Sequence, residues 1–521
     1  MDRWKKKLQE LFGIDIRSLA FFRMGLALVL IGDLLNRIQD LIAHYTDDGV
    51  LPRDVLIYHF LDPWHFSLHL MNGSWGIQFL LFSLAILFAI GLLFGFYTRL
   101  STILSWLLLI SLHTRNPLLV HGGDTLLRML LFWGMFLPLG AYWSVDRWKG
   151  QQQKYPFQII SGATYALLLQ VCMMYWVTAL LKTDVAWRQE GTAVWYVFSN
   201  EFFATRIARF LLDYPTLLQT LTFSTLFLEF FGPLFVFLPI WTTPIRTTMV
   251  VIFMFFHLVL GLTLELGIFS YVAAVAWIPF LPGGLWNVLL GSFPEQVVKL
   301  RSNKLLYRVR LDCINLDSAR QSQSDLTEED HCRVGKADEE DQFGKARASP
   351  NLYNLTERGI NCLALFFFLY IVLWNLRSVG AISLPPQFNA IASLTRIDQH
   401  WNMFAPFPLR DHGWFLIPGT LRNGKEIDLY THQALNWQKP DLCSACFKND
   451  RWRSFMLNLV FDDKSPISLA NYAGYLWQNW NDTHPYEEHL LSLDIVLISK
   501  KNGVGGSSSD YDKFTLWKHE Q

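Results

Sequence analysis

Charge and cysteine are what this 521-residue chain has least of. Only 17% of its residues are charged, against about a quarter in ordinary soluble domains. The 44 Lys and Arg are balanced by 44 Asp and Glu. Without a basic surplus, a general nucleic-acid binder is excluded. Six cysteines in so long a chain exclude a disulfide-built scaffold, and 32 glycines exclude a collagen-like repeat. There is no phosphate-binding or dinucleotide glycine fingerprint and no internal repeat. What is abundant is apolar surface: 52% of residues are hydrophobic and 15% aromatic. That balance implies a polytopic membrane protein with polar appendages.

A helix crossing the roughly 30 Å hydrocarbon core needs about 20 mostly apolar residues, and its backbone groups must be satisfied within the helix. Apolar runs at 18–35, 75–96, 100–112, 125–143, 163–182, 217–240 and 360–376 fit this requirement. The run 247–290 is too long for one helix, and Glu265-Leu266-Gly267 divides it into two. The expected total is nine spans. Arg3, Lys5, Lys6 and Lys7 place the N-terminus in the cytoplasm by the positive-inside rule. Nine spans also keep Lys299, Arg301, Lys304, Arg308 and Arg310 inside and leave the tail extracytoplasmic.

The expected organisation follows from these spans. Residues 1–17 are an amphipathic cytoplasmic segment lying on the membrane rather than a cleaved signal peptide. Residues 18–290 form a transmembrane helical bundle, 291–359 a charged cytoplasmic linker with acidic runs such as Glu328-Glu329-Asp330, and 360–376 the last span. Residues 377–521 form a small extracytoplasmic α+β domain. Within it, strands at 413–420 and 426–430 flank Asn423-Gly424, a dipeptide suited to a tight hairpin. Helical patterns follow at 452–461 and 467–480, then a strand at 490–499.

An ionisable group within a span is a functional candidate because burying it is costly. Lys182 ends the fifth run. A desolvated lysine loses preference for its charged form and can act as a base; alternatively it snorkels to the outer interface beside Asp184 and Trp187. His121-Gly122-Gly123-Asp124 opens the fourth run, with Arg128 one turn on. Asp124 can cap that helix and pair with Arg128 at i,i+4, which would bring a neutral unit into the bilayer; the two glycines would allow close backbone approach. His257 and Glu229 lie mid-span and are either hydrogen-bonded core or cavity groups. Cys443 and Cys446 form the only CxxC, a candidate local disulfide. No metal-ligand spacing is present, so no metal is expected.

Several motifs occur in a family-specific order. They are His121-Gly122-Gly123-Asp124 with Arg128, Tyr142-Trp143-Ser144-Val145-Asp146, Lys182-Thr183-Asp184-Val185-Ala186-Trp187, and Phe256-His257-Leu258 followed by Gly267-Ile268-Phe269-Ser270-Tyr271-Val272. Together they resemble the HTTM (horizontally transferred transmembrane) family, whose membrane domain is shared with vitamin K-dependent gamma-carboxylase. The resemblance covers roughly the first 290 residues, and Gln399-His400-Trp401-Asn402-Met403-Phe404 and Asp411-His412-Gly413-Trp414 resemble the tail of bacterial members. It implies a lipid-embedded reaction of reduced vitamin K or another lipid quinol with oxygen and carbon dioxide, carboxylating a glutamate side chain of an extracytoplasmic protein or peptide. In that reading Lys182 is the catalytic base, and His257, Trp143 and Met403 belong to the cofactor region. His121, Asp124, Arg128 and Asp184 form a polar cluster for substrate or for structure. Ala141 departs from the carboxylase, which has a histidine there. The alternative is a non-catalytic membrane protein that binds a quinone or lipid, or a scaffold.

Overall fold

The computed structural model describes residues 2–150, 155–291, 350–461, 463–501 and 511–520. Helix α1 (Asp2–Phe12) is the amphipathic start, and its Phe12 ring stacks on Phe237. The long helices follow from apolar runs bounded by capping residues. Asp15 accepts from the Arg17 N–H to start α2 (Ile16–Ile38). Helix α3 (Trp75–Phe94) stops at a left-handed Gly95. Helix α4 (Thr98–Arg115) is capped from a distance: the Asp146 carboxylate of the Tyr142–Asp146 motif accepts from the Tyr97 and Thr98 N–H groups at 2.8 and 2.7 Å. Helix α5 (Gly122–Gly134) opens with a capping box between His121 and Asp124. Ser161 and Thr164 form another at α6 (Gly162–Leu181), and Pro215 occupies the first turn of α7 (Pro215–Phe235). Then come α8 (Thr242–Thr263) and the short α9 (Phe269–Ala276).

Six helices are long and apolar enough to cross a membrane: α2, α3, α6, α7, α8 and the 358–378 part of α10 (Pro350–Ser378). Counting Phe269–Phe280 together with Gly283–Leu290 as one broken span gives seven. The expectation of nine is therefore corrected among the described residues. The run at 100–112 is part of α4, which carries Ser101, Thr102, Ser105, Ser111, His113, Thr114 and Arg115 inward; all are buried. The run at 125–143 forms only the 13 residues of α5, about 20 Å long at 1.5 Å per residue, well short of the hydrocarbon core. Helix α5 is apolar because it is buried from Gly123 to Gly134, whereas α4 turns one face inward and leaves Leu100 exposed. Composition alone does not separate such burial from facing lipid.

The chain divides into two units, Met1–Pro282 with Asn361–Gln521, and Gly283–Ile360. Of the second, the described parts are the helix Gly283–Gly291 and the beginning of α10. Most of the acidic linker expected at 291–359 lies outside the described residues.

The tail of the first unit is an antiparallel half-barrel. Strands β1 (Ile14–Asp15) and β2 (Gln158–Ile159) make a small separate ribbon. The larger sheet contains β3 (Asp411–Leu416), β4 (Pro418–Leu421), β5 (Glu426–Asp428), β6 (Gln433–Ala434), β7 (Leu490–Lys501) and β8 (Asp512–Glu520). Its order is β3-β7-β4-β5-β6, with β8 on the other edge of β7. The β4–β5 hairpin turns at the predicted Asn423-Gly424, where Gly424 adopts φ +80°. Helices α11 (Asp450–Phe461) and α12 (Ser465–Thr483) match the two helical patterns expected there.

Helix α11 ties this tail to the apolar helices. Arg451 reaches from it to Asp33 on α2 and Asp124 on α5, and Lys448 and Asn449 reach Asp40. All four contacts lie within one compact unit.

Candidate functional site

A largely apolar cavity of about 400 Å³ is bordered by α6, α7, α8, α11 and the segment that ends with Phe404. Lys182 caps the C-terminal end of α6 and is 2% exposed. Its Nζ donates to both carboxylate oxygens of Glu229 on α7, at 2.6 and 2.7 Å, and lies 4.3 Å from the Trp187 ring centroid. The snorkelling alternative is thus replaced by a buried ion pair. Both members border the cavity. Such a pair is tolerated in apolar surroundings because the two charges cancel and the carboxylate oxygens take the ammonium protons.

His257, on α8, also borders the cavity. Its Nε2 lies 2.5 Å from the Tyr175 hydroxyl, which accepts from Trp277 Nε1 at 2.8 Å. Its other nitrogen, Nδ1, is buried without a partner among the described residues. Met403 and His121 complete the set of predicted residues brought to one place. The reason Met403 arrives there is its neighbour Gln399, whose Oε1 accepts from Gln170 at 2.9 Å and from Trp401 at 2.8 Å. Phe404, next along, offers its carbonyl to Trp187 Nε1 at 2.9 Å. The motif 399–404 is therefore threaded against α6 and the loop that follows it. At Gly123 a Cβ would lie 2.9 Å from the Phe269 nitrogen. The expected close approach is real there, and it brings α5 against the start of α9.

Other expected members stand elsewhere. Trp143 is 42% exposed, has φ +45° and does not border the cavity; its carbonyl accepts from Arg23 at 2.6 Å. It sits in the turn that presents Asp146 to α4. Asp124 does not pair with Arg128. Arg128 instead donates to Asp398 at 3.0 Å, while Asp124 takes Arg37 and Arg451. The i,i+4 spacing permits a contact, but guanidinium groups from other elements supply better geometry. Asp184 caps the turn at Ala186 and lies 3.4 Å from Arg410. Cys443 and Cys446 are free thiols. They occupy one short 3-10 turn, with Cys443 Sγ held 3.6 Å from Glu201 rather than joined to Cys446.

Sequence reasoning gave Glu229 no partner and missed Arg451 and Arg453. No spacing links 182 to 229 or 33 to 451, because helix packing alone sets those pairs. Asp33, His113 and Asp124 do approach one another closely enough for a cation. Their carboxylate oxygens, however, are occupied by Arg37 and Arg451, so the group is already neutralised.

Several helices long and apolar enough to cross a membrane, three of which border a cavity with a buried lysine–glutamate pair, fit an integral membrane protein. The sequence model of one family, the HTTM domain, matches residues 13–283, just over half of the chain. The chain belongs to the HTTM family. No curated protein and no solved structure matches it.

Proposed function

We propose that the cavity binds a lipid quinol such as reduced vitamin K, and that Lys182 is the base which takes a proton from it. One observation carries this reading: an amine buried beside a mostly apolar hollow, balanced by Glu229. A quinol supplies, when bound, an acidic hydroxyl and two electrons for oxygen. The residues fit such a group. The wall is apolar along Leu221, Leu228, Phe256 and Leu260, and the unpartnered His257 Nδ1 is free to hydrogen-bond an oxygen. Lys182 Nζ and Glu229 can exchange a proton without changing their summed charge, so the pair can hold a proton at Nζ or at the carboxylate within the same low-dielectric site. The Trp187 ring covers the amine, its centroid 4.3 Å from Nζ. In the full reading, which follows gamma-carboxylase, carbon dioxide is added to a glutamate side chain of a protein or peptide on the extracytoplasmic side.

Mass spectrometry of lipids co-purified with the protein tests the binding, with a retained quinone as the expected result. Lys182→Ala should abolish quinol consumption while the protein still folds; unchanged consumption would reject the base. A search of the same cells for γ-carboxyglutamate tests the carboxylation step.

A non-catalytic quinone- or lipid-binding role has one observation in its favour. Ala141, standing where the carboxylase has a histidine, is buried and does not border the cavity. A bound quinone with no measurable consumption would select that reading.

A further inference from the structure

The tail helix α11 contributes Arg453, Ser454, Leu457 and Asn458 to the cavity wall. Arg453 is only 5% exposed. Among the described residues its guanidinium takes part in no hydrogen bond, and no carboxylate lies within ion-pair distance of it; its recorded contact is with the Phe203 ring, 5.6 Å away. Asp450 and Glu265, the carboxylates that act on it electrostatically, do not meet it. Asp450 is engaged by Asn36 at 2.5 Å and lies 3.6 Å from both His121 and Arg451. Glu265 is an exposed residue at the edge of the cavity. Burial disfavours the charge on Arg453, and Asp450 and Glu265 oppose that only from a distance. An arginine stays charged at any accessible pH, so a buried, uncompensated one is costly unless something else meets it.

We propose that Arg453 is an anion-binding subsite of the cavity, taking a carboxylate or phosphate group carried on an apolar chain. A planar guanidinium held against a ring presents two parallel N–H donors, the geometry that carboxylate and phosphate oxygens match. The apolar wall beside it takes the chain, and Ser454, one residue on, borders the same space. The cavity lining then has two chemically distinct polar features, a proton-exchanging pair at Lys182 and a fixed cation at Arg453. This deepens the quinol reading by assigning an anionic co-substrate to the same site; it rests on the cavity and not on the identity of the first ligand.

The test uses the full chain in nanodiscs of neutral phosphatidylcholine, with empty nanodiscs subtracted for partition. Radiolabelled octanoate, octyl phosphate and octanol are titrated separately. Octanoate or octyl phosphate should bind about tenfold or more tightly than octanol, the size of one charge-assisted contact, and the tighter of the two identifies the head group. Arg453→Gln should remove that difference. Arg453→Lys should keep part of it, and thermal unfolding would check that both variants fold. Equal binding of the anions and octanol by the unmutated protein overturns the proposal. So does an unchanged affinity for the tighter of the two anions in a folded Arg453→Gln. If the quinol reading alone fails, no quinone co-purifies but that anion still outbinds octanol; if the subsite alone fails, a quinone is retained and that difference is absent.

Discussion

Two buried charge clusters among the described residues differ in their access to the cavity, one of four groups and one of two. Asp33, Arg37, Asp124 and Arg451 form a closed quartet in which every carboxylate oxygen meets a guanidinium. Arg37 also reaches Tyr45 at 2.9 Å, and Arg451 reaches the Leu119 carbonyl at 3.0 Å. None of the four borders the cavity. Lys182 and Glu229 are as deeply buried, yet they stand at the edge of open space. The difference separates structure from chemistry: a saturated cluster binds helices together, whereas a pair facing a void can exchange a proton with whatever enters.

The largest expected effect is on the quartet. Arg451→Leu leaves two aspartates sharing Arg37 and should destabilise the protein by about 3–5 kcal/mol, the usual penalty for breaking a buried ion network. Thermal unfolding in detergent measures it. Added quinone should not restore the loss, and a change below about 1 kcal/mol would mean that the tail is held by other contacts.

The pair at the cavity should behave otherwise. Glu229→Gln removes the counter-charge of Lys182 and is expected to cost about 1–3 kcal/mol, less than the quartet because water can reach the cavity side. Combining Lys182→Met with Glu229→Leu should recover most of that stability, giving a coupling of about 1–3 kcal/mol in the double-mutant cycle. Quinol consumption should be absent in both. Recovered stability together with retained consumption would erase the proposed distinction between the clusters.

A third cluster, between Glu201 and the tail, gives a smaller and pH-dependent effect. Burial alone would raise the Glu201 carboxyl, but the neighbouring His412 and Lys439 side chains outweigh it and hold it down to about 2. A carboxyl whose folded value lies below its unfolded one contributes stability that is fully present above the unfolded value, about 4.3. That contribution is lost as the pH falls towards about 2. Hydrogen exchange at β3 should therefore speed up across this window, and Glu201→Gln should flatten the change. A pH profile identical in that variant would assign the transition to other groups.

The smallest effect concerns the CxxC pair. Burial pushes the Cys443 thiol up to about 12, and the nearby Glu201 carboxylate adds to this. Alkylation by iodoacetamide near pH 8 should be slow at Cys443, since the thiolate is the reactive form. It should quicken in Glu201→Gln. Rapid labelling of Cys443 in the unmutated chain would contradict the buried placement.

The long apolar helices, their caps and the Asn423-Gly424 hairpin were legible because each depends on neighbours within a few residues. Composition and motif order likewise sufficed for the membrane class and the HTTM family, and Lys182, His257 and Met403 stood out as a lysine, a histidine and a motif residue in the right order. Three-dimensional packing decided which apolar helices are enclosed by protein, as α5 is, since hydropathy scores protein and lipid surroundings alike. It also chose the partners of the buried charges: Glu229 for Lys182 across 47 residues, and Arg451 rather than Arg128 for Asp124. Coulombic and hydrogen-bond energies depend on distance in space, and the sequence carries that distance only for groups a turn or two apart.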